Sequence, residues 1–255
     1  MSDLTNTSAI VTGGASGLGA AVAAYLAGRG AKVCLFDMNS DVATTTAAKI
    51  GATWQQVDVS DTKSVRQAFE KARAVQGQER ILVNCAGIGP ASKTVSRGEP
   101  HNPAMFAKVI GVNLLGSFYC ASTAASGMVS SKPSAPDGER GVIVNTASVA
   151  AFEGQVGQVA YAASKGGIVG MTLPMARDLA DKGVRIATIA PGLFKTPLLE
   201  GLPQDVQDSL GAQVPFPSRL GNPEEFAKLV GHIVDNPMIN GEVIRLDGAI
   251  RMAPR

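Results

Sequence analysis

Tyr161 and Lys165 stand four residues apart in Tyr161-Ala162-Ala163-Ser164-Lys165, with Ser148 upstream. On a helix that spacing puts phenol and ammonium on one face, so the cation can act on the phenol's proton. A phenol ionises near pH ~10, and an ammonium at ~4 Å in an effective dielectric near ~20 favours the phenolate by roughly 4 kcal/mol, about three pKa units before desolvation opposes it. Such a pair is a proton donor and acceptor poised near neutrality. The same spacing also arises where a tyrosine closes a core edge beside a solvated lysine, so the rest of the chain has to decide between the two.

A second group lies near the N-terminus, where the apolar run Ser8 to Thr12 passes into Gly13-Gly14-Ala15-Ser16-Gly17-Leu18-Gly19 and an alanine-rich helical pattern. Glycines between a first strand and a first helix permit a tight turn, let backbone approach a pyrophosphate and bring the helix close to the sheet; the helix N-terminus, at Ser16 and Leu18, then offers free N–H groups to an anion. Gly13, Gly17 and Gly19 fill these positions. An ATP phosphate loop is disfavoured because no Gly-Lys-Ser/Thr follows. Asp37 ends the second apolar run, eighteen residues after Gly19, where a carboxylate can accept hydrogen bonds from adenosine ribose hydroxyls and repel a 2′-phosphate. With no Lys or Arg beside it, NAD is expected over NADP. Asp58-Val59 and Asn84-Cys85-Ala86-Gly87 end later strands at the same edge, where adenine and the second ribose would lie.

The elements that must position these residues alternate. Strands are predicted at Ser8 to Thr12, Lys32 to Phe36, Trp54 to Val57, Ile81 to Asn84, Val142 to Asn145, Arg185 to Ile189 and Glu242 to Leu246. Helices are predicted at Leu18 to Arg29, Ser40 to Ile50, Thr62 to Gln76, Pro103 to Ser130, Val159 to Asp181 and from Asn222 to about Val234. Strands separated by helices of this length imply an α/β fold: one Rossmann-type, doubly wound parallel sheet of about seven strands with helices on both faces, residues 1–255 forming one dinucleotide-binding and catalytic domain. Ser130 to Gly141 reads as a surface loop, and Pro191 to Pro217, rich in proline and glycine, as a substrate lid (191–217) at the carboxyl end of the sheet.

Composition narrows the function classes. Twenty-nine glycines, 45% hydrophobic and 17% charged residues describe a compact globular chain, and a net charge of +2 without basic runs or interleaved aromatics predicts no nucleic-acid partner. Cys34, Cys85 and Cys120 are too widely spaced for a disulfide framework, and His101 and His232 follow no metal-ligand pattern, so no metal is expected. No apolar run of eighteen residues and no leader are evident, and the expectation is a cytoplasmic protein with no membrane partner. A serine hydrolase is disfavoured, since Gly-x-Ser-x-Gly is absent and neither histidine is placed to pair with Ser148.

Taken together, T-G-x-x-x-G-x-G at Thr12 to Gly19, N-C-A-G at Asn84 to Gly87, Ser148, Y-x-x-x-K at Tyr161 to Lys165 and Pro191-Gly192 resemble the short-chain dehydrogenase/reductase family in order and context, over nearly the whole chain. The resemblance implies a catalytic tetrad: Tyr161 as acid/base, Lys165 lowering its pKa and binding the nicotinamide ribose, Ser148 on the reacting oxygen and Asn113 completing a proton relay. It also implies coenzyme contacts from Gly13, Ser16, Gly17, Leu18, Gly19, Asp37, Asp58, Val59, Asn84, Ala86, Gly87, Tyr161, Lys165, Pro191 and Thr196. G-L-F-K-T-P-L-L, V-P-F-P-S-R-L-G and G-E-V-I-R-L-D-G-A-I-R-M are similar to the type II 3-hydroxyacyl-CoA dehydrogenase (hydroxysteroid dehydrogenase-like) branch, although Lys195 stands where a small residue is expected. That branch implies NAD-linked interconversion of 3-hydroxyacyl-CoA and 3-ketoacyl-CoA, the alternatives being simple secondary alcohols, hydroxyketones or steroids, or a non-catalytic dinucleotide-binding scaffold. Gln155 and Phe152 are expected in the substrate pocket with Ser148 and Tyr161. The family also implies a homotetramer, for which the apolar helix faces and Glu242 to Met252 are the expected interface.

Overall fold

A computed structural model describes residues 3–134, 137–201 and 203–254; the side chains of Leu198 and Glu200 lie outside that description, as do Ala135 and Pro136 of the predicted surface loop and Leu202 of the predicted lid. In chain order β1 (Ser8–Thr12) leads through α1 (Gly17–Gly28) to β2 (Lys32–Asp37), α2 (Ser40–Ile50), β3 (Thr53–Gln56), α3 (Thr62–Gln76) and β4 (Ile81–Asn84). A small hairpin, β5 (Val95–Ser96) and β6 (Glu99–Pro100), precedes α4 (Pro103–Ile110), a π-turn at Gly111–Leu115 and α5 (Gly116–Val129). The second half runs β7 (Gly141–Thr146), α6 (Val159–Leu179), β8 (Val184–Pro191), α7 (Pro197–Glu200), α8 (Gln204–Ala212), α9 (Pro223–Asp235) and β9 (Val243–Leu246).

Seven strands form one parallel sheet in the order β3-β2-β1-β4-β7-β8-β9. Burial on both faces is written into the alternation of the five inner strands. Ala9, Val11, Val33, Leu35, Ile81, Val83, Val142 and Val144 pack with α1 and α9 on one face, while Ile10, Cys34, Phe36, Leu82 and Ile143 pack with α3, α5 and α6 on the other. From β1 the chain winds outward to β2 and β3, then returns to β4 on the other side of β1. A crevice therefore opens between the carboxyl ends of β1 and β4, the switch point at which ligands bind in such sheets.

The helices start where polar side chains replace missing backbone partners. Asn39 accepts from Val42 N to cap α2; Asp61 accepts from Lys63 N before α3; Asn222 and Glu225 form a reciprocal capping box on α9. The helix predicted from Pro103 to Ser130 is continuous but changes pitch at Gly111–Leu115. By length and composition Pro103–Val129 is apolar enough to span a bilayer, yet Val109, Cys120, Ala121, Ala124 and Met128 are buried within the molecule.

Candidate active site

The crevice is a cleft of about 1000 Å³. Every predicted site residue except Asn84, Asn113 and Phe152 lines it. At its floor the glycine turn takes the conformation that only glycine adopts readily: Gly13 has φ +61° and Gly17 φ +53°. A Cβ on Gly13 would stand 2.8 Å from the Ala86 backbone, which follows β4, and one on Gly19 would stand 2.1 Å from the Gly13 carbonyl oxygen. These contacts bring the β1 and β4 ends together and press α1 onto the turn. The first turn of α1 carries no acidic side chain, and Ser16 is exposed at its mouth. A cradle with this backbone and this helix end suits a pyrophosphate.

Beyond the turn, Asp37 is held by two backbone donors, Ala15 N at 3.0 Å and Asn39 N at 3.0 Å. Asp58 accepts from Ser60 N and Ser60 Oγ, and α4 adds Lys108, and the π-turn adds Gly111, to the same end of the cleft. Thr196 stands at the start of α7 beside Gly17, so the predicted lid begins against the glycine turn. Its base is stapled: Lys195 N donates to Gly221 O at 2.8 Å and Gly221 N to Leu193 O at 2.8 Å. The Lys195 side chain is exposed.

At the other end stand Ser148, Tyr161 and Lys165. Tyr161 and Lys165 share the first turns of α6, and Ser148 caps the short 3-10 turn Val149–Ala151, accepting from Ala150 N at 3.1 Å. That bond leaves the Ser148 hydroxyl proton free, and Ser148 stands near enough to the Tyr161 phenol to favour its ionised form. The expected direct action of Lys165 on the phenol is not what the structure shows. Its Nζ lies 5.6 Å from the Tyr161 ring centroid and donates to Thr146 O at 2.7 Å. Burial raises the Tyr161 pKa above its ordinary value, opposed by the Ser148 hydrogen bond, and burial brings Lys165 down to about 8. Desolvation wins over attraction because the ammonium faces a carbonyl and the ring rather than the phenol oxygen.

Asn84 and Asn113 lie behind the cleft wall. Asn84, expected at the coenzyme, is buried and donates to Asn145 Oδ1 at 2.9 Å and Ser117 O at 3.1 Å, tying β4 to β7 and α5. Asn113, fully buried in the π-turn, clamps the loop after β4: its Oδ1 accepts from Ile88 N at 2.8 Å and its Nδ2 donates to Ile88 O at 2.9 Å and Ser164 Oγ at 3.0 Å. Ser164 in turn donates to Tyr161 O at 2.7 Å, so Asn113 positions both the loop and the tyrosine turn. Phe152, expected in the pocket, instead lies 5.3 Å beneath the Arg245 guanidinium. Gln155 does line the cleft, and its Nε2 donates to Ala253 O at 3.0 Å.

Sequence reasoning missed Thr146, whose carbonyl holds Lys165, and the wall residues Gln158, Leu193, Leu210 and Met252. Gln158, three residues before Tyr161, and Leu193 and Leu210, inside the predicted lid, carried a positional hint. Cys85 also lines the cleft, but burial pushes its thiol up to about 11, which leaves it a poor nucleophile at neutral pH.

The short chain dehydrogenase family model matches residues 7–207. The chain is 54% identical over 250 residues to human (Homo sapiens) 3-hydroxyacyl-CoA dehydrogenase type-2, covering 96% of this chain and 95% of that one. It is 40% identical to 2-dehydro-3-deoxy-L-rhamnonate dehydrogenase (NAD(+)) of Sphingomonas sp. (strain SKA58), over 87% of this chain and 85% of the relative. The crystal structure of 3-hydroxyacyl-CoA dehydrogenase type-2 from Mycobacterium avium superposes with a TM-score of 0.94 at 40% identity, covering 98% of each chain. With a glycine-cradled cleft running from Asp37 to a Ser148–Tyr161–Lys165 cluster, this chain belongs to the short chain dehydrogenase family, oxidoreductases that exchange hydride with a nicotinamide coenzyme.

Proposed function

We propose that the protein is an NAD-dependent dehydrogenase that interconverts 3-hydroxyacyl-CoA and 3-ketoacyl-CoA. The observation that carries the reading is that Ser148, Tyr161 and Lys165 line the same cleft as the glycine turn and the Asp37 carboxylate. The turn at Gly13 to Gly19 holds the pyrophosphate, and Asp37, with both oxygens fixed by backbone N–H groups, accepts from the adenosine ribose hydroxyls and repels a 2′-phosphate. The coenzyme supplies the acceptor for the hydride in oxidation and the donor in reduction. Tyr161 takes the proton from the substrate hydroxyl in oxidation and returns one to the oxygen in reduction, while Ser148 donates to that oxygen. Lys165, which lines the cleft beside Tyr161, would hold the nicotinamide ribose when the coenzyme is bound. Asn113 keeps the loop at Ile88 and the tyrosine turn in register.

The type-2 relatives, at 49–54% identity, support the acyl-CoA substrate. The sugar-acid dehydrogenase at 40% identity favours a second reading, oxidation of a small hydroxylated acid or alcohol. Acetoacetyl-CoA should oxidise NADH and leave NADPH almost untouched, and Asp37→Ala should raise the KM for NAD. Turnover of small ketones with none of acetoacetyl-CoA would select the second reading; equal efficiency with NADPH would remove the coenzyme assignment.

A further inference from the structure

Beyond β9 the backbone turns at Asp247–Ala249, with Ala249 at φ +68°, and comes back over the loop between Ser148 and Tyr161. Chain ends fray unless they are tied down. This one is tied at several points. Arg245 forks onto Glu153 at 2.8 and 3.0 Å, bonds Asp247 at 2.7 Å and donates to Ile250 O at 3.0 Å. Met252 N donates to Glu153 Oε2 at 3.4 Å, Gln155 Nε2 donates to Ala253 O at 3.0 Å, and Val156 N donates to Pro254 O at 3.0 Å. The result is a strap, residues 251–254, laid along the loop that joins two members of the catalytic cluster. Its one cleft-lining residue is Met252, half-buried between these fastenings.

We propose that Met252 is a specificity-determining residue and that the strap forms the wall against which the apolar chain of the substrate packs. The proposal rests on the acyl-CoA reading for the identity of that chain. Three features carry it. Met252 lines the same cleft as Ser148 and Tyr161; its strap is bonded to Gln155 and Val156 on the loop between them; and Asp37 and Asp58, which mark the coenzyme end, contribute nothing to holding it. A methionine at such a wall accepts chains of different length, because its unbranched thioether repacks at low cost. The strap thus gives the cleft a tolerant surface on a fixed mount. Leu193 and Leu210, from the segment after β8, line the same cleft.

The test is the ratio of kcat/KM for long-chain over short-chain 3-ketoacyl-CoA, measured with NADH on the full-length enzyme. Met252→Trp should lower that ratio by about tenfold, the scale on which a pocket discriminates a few methylenes. Met252→Ala should move it the other way. Gln155→Ala, which frees the strap at one fastening, should follow Met252→Ala, and the NADH dissociation constant, read by fluorescence, should stay at the wild-type value in all three. A ratio unchanged in both Met252 variants overturns the proposal, as does a loss of NADH affinity that accounts for the change. If wild-type enzyme reduces no acyl-CoA thioester, the acyl-CoA reading has failed on its own; the same variants are then compared on uncharged ketones of increasing size, where a shift in size preference keeps the strap's role and its absence ends it.

Discussion

Lys165 is under two opposed demands. Burial brings its pKa down to about 8 from the ordinary 10.5, so the folded protein holds the ammonium at a cost that is full below pH 8 and disappears above about 10.5, where both states are neutral. A shift of that size corresponds to on the order of 3 kcal/mol. Lys165→Met should therefore raise the melting temperature at pH 7 by several degrees while losing turnover, and the gain should shrink as pH rises through that window. Thermal unfolding at pH 7 and pH 10 checks the sign; a variant less stable than wild type at pH 7 would contradict it. Tyr161→Phe, which removes the proton but not the ring, should lose at least a hundredfold in kcat and keep NADH binding.

At the level of elements, the glycine turn and the π-turn do different work. Gly13 joins the two strand ends at the switch point, and its φ of +61° and the 2.8 Å approach to Ala86 leave no room for a side chain. Gly13→Ala should weaken NADH binding by more than tenfold while circular dichroism stays close to wild type; undiminished affinity would show that the turn tolerates opening. This turn was legible in the sequence because its glycines answer a local backbone need. So were the sheet strands, the five inner ones carrying apolar runs buried on both faces, and the spacing that put Tyr161 and Lys165 on one helix. The fates of Asn84 and Asn113 were not legible, since their partners at Ser117, Asn145, Ile88 and Ser164 come from other elements. Nor was the turn of the Lys165 ammonium toward Thr146 O: helical spacing fixes the face of a side chain, and burial and competing acceptors fix what it touches. The β5–β6 hairpin, two residues per strand, and the short helix α7 fall below the length at which periodicity signals anything.

At the scale of the whole molecule, α5 and α6 leave apolar side chains uncovered, with Phe118 45% and Leu173 44% exposed and Leu115 beside them at 41%. We propose that this face is covered in a homotetramer. Phe118→Asp should then shift the sedimentation coefficient toward smaller species, and an unchanged value would place the interface elsewhere. The segment after β9, which the sequence suggested as an interface, is bonded for part of its length to the protein's own loop at Glu153 to Val156.

That fastening also has a consequence for ionic strength. Glu153, its carboxyl held below the usual carboxylate range by Arg245, together with Asp247 and Arg251 holds the strap through ion pairs near the surface, where salt screens attraction over roughly 8 Å at physiological strength and 3 Å at 1 M. With an uncharged ketone as substrate, added salt should loosen the strap and raise the KM for the ketone, and a KM that stays constant with salt would show that the backbone bonds at Gln155 and Val156 hold the strap without the ion pairs.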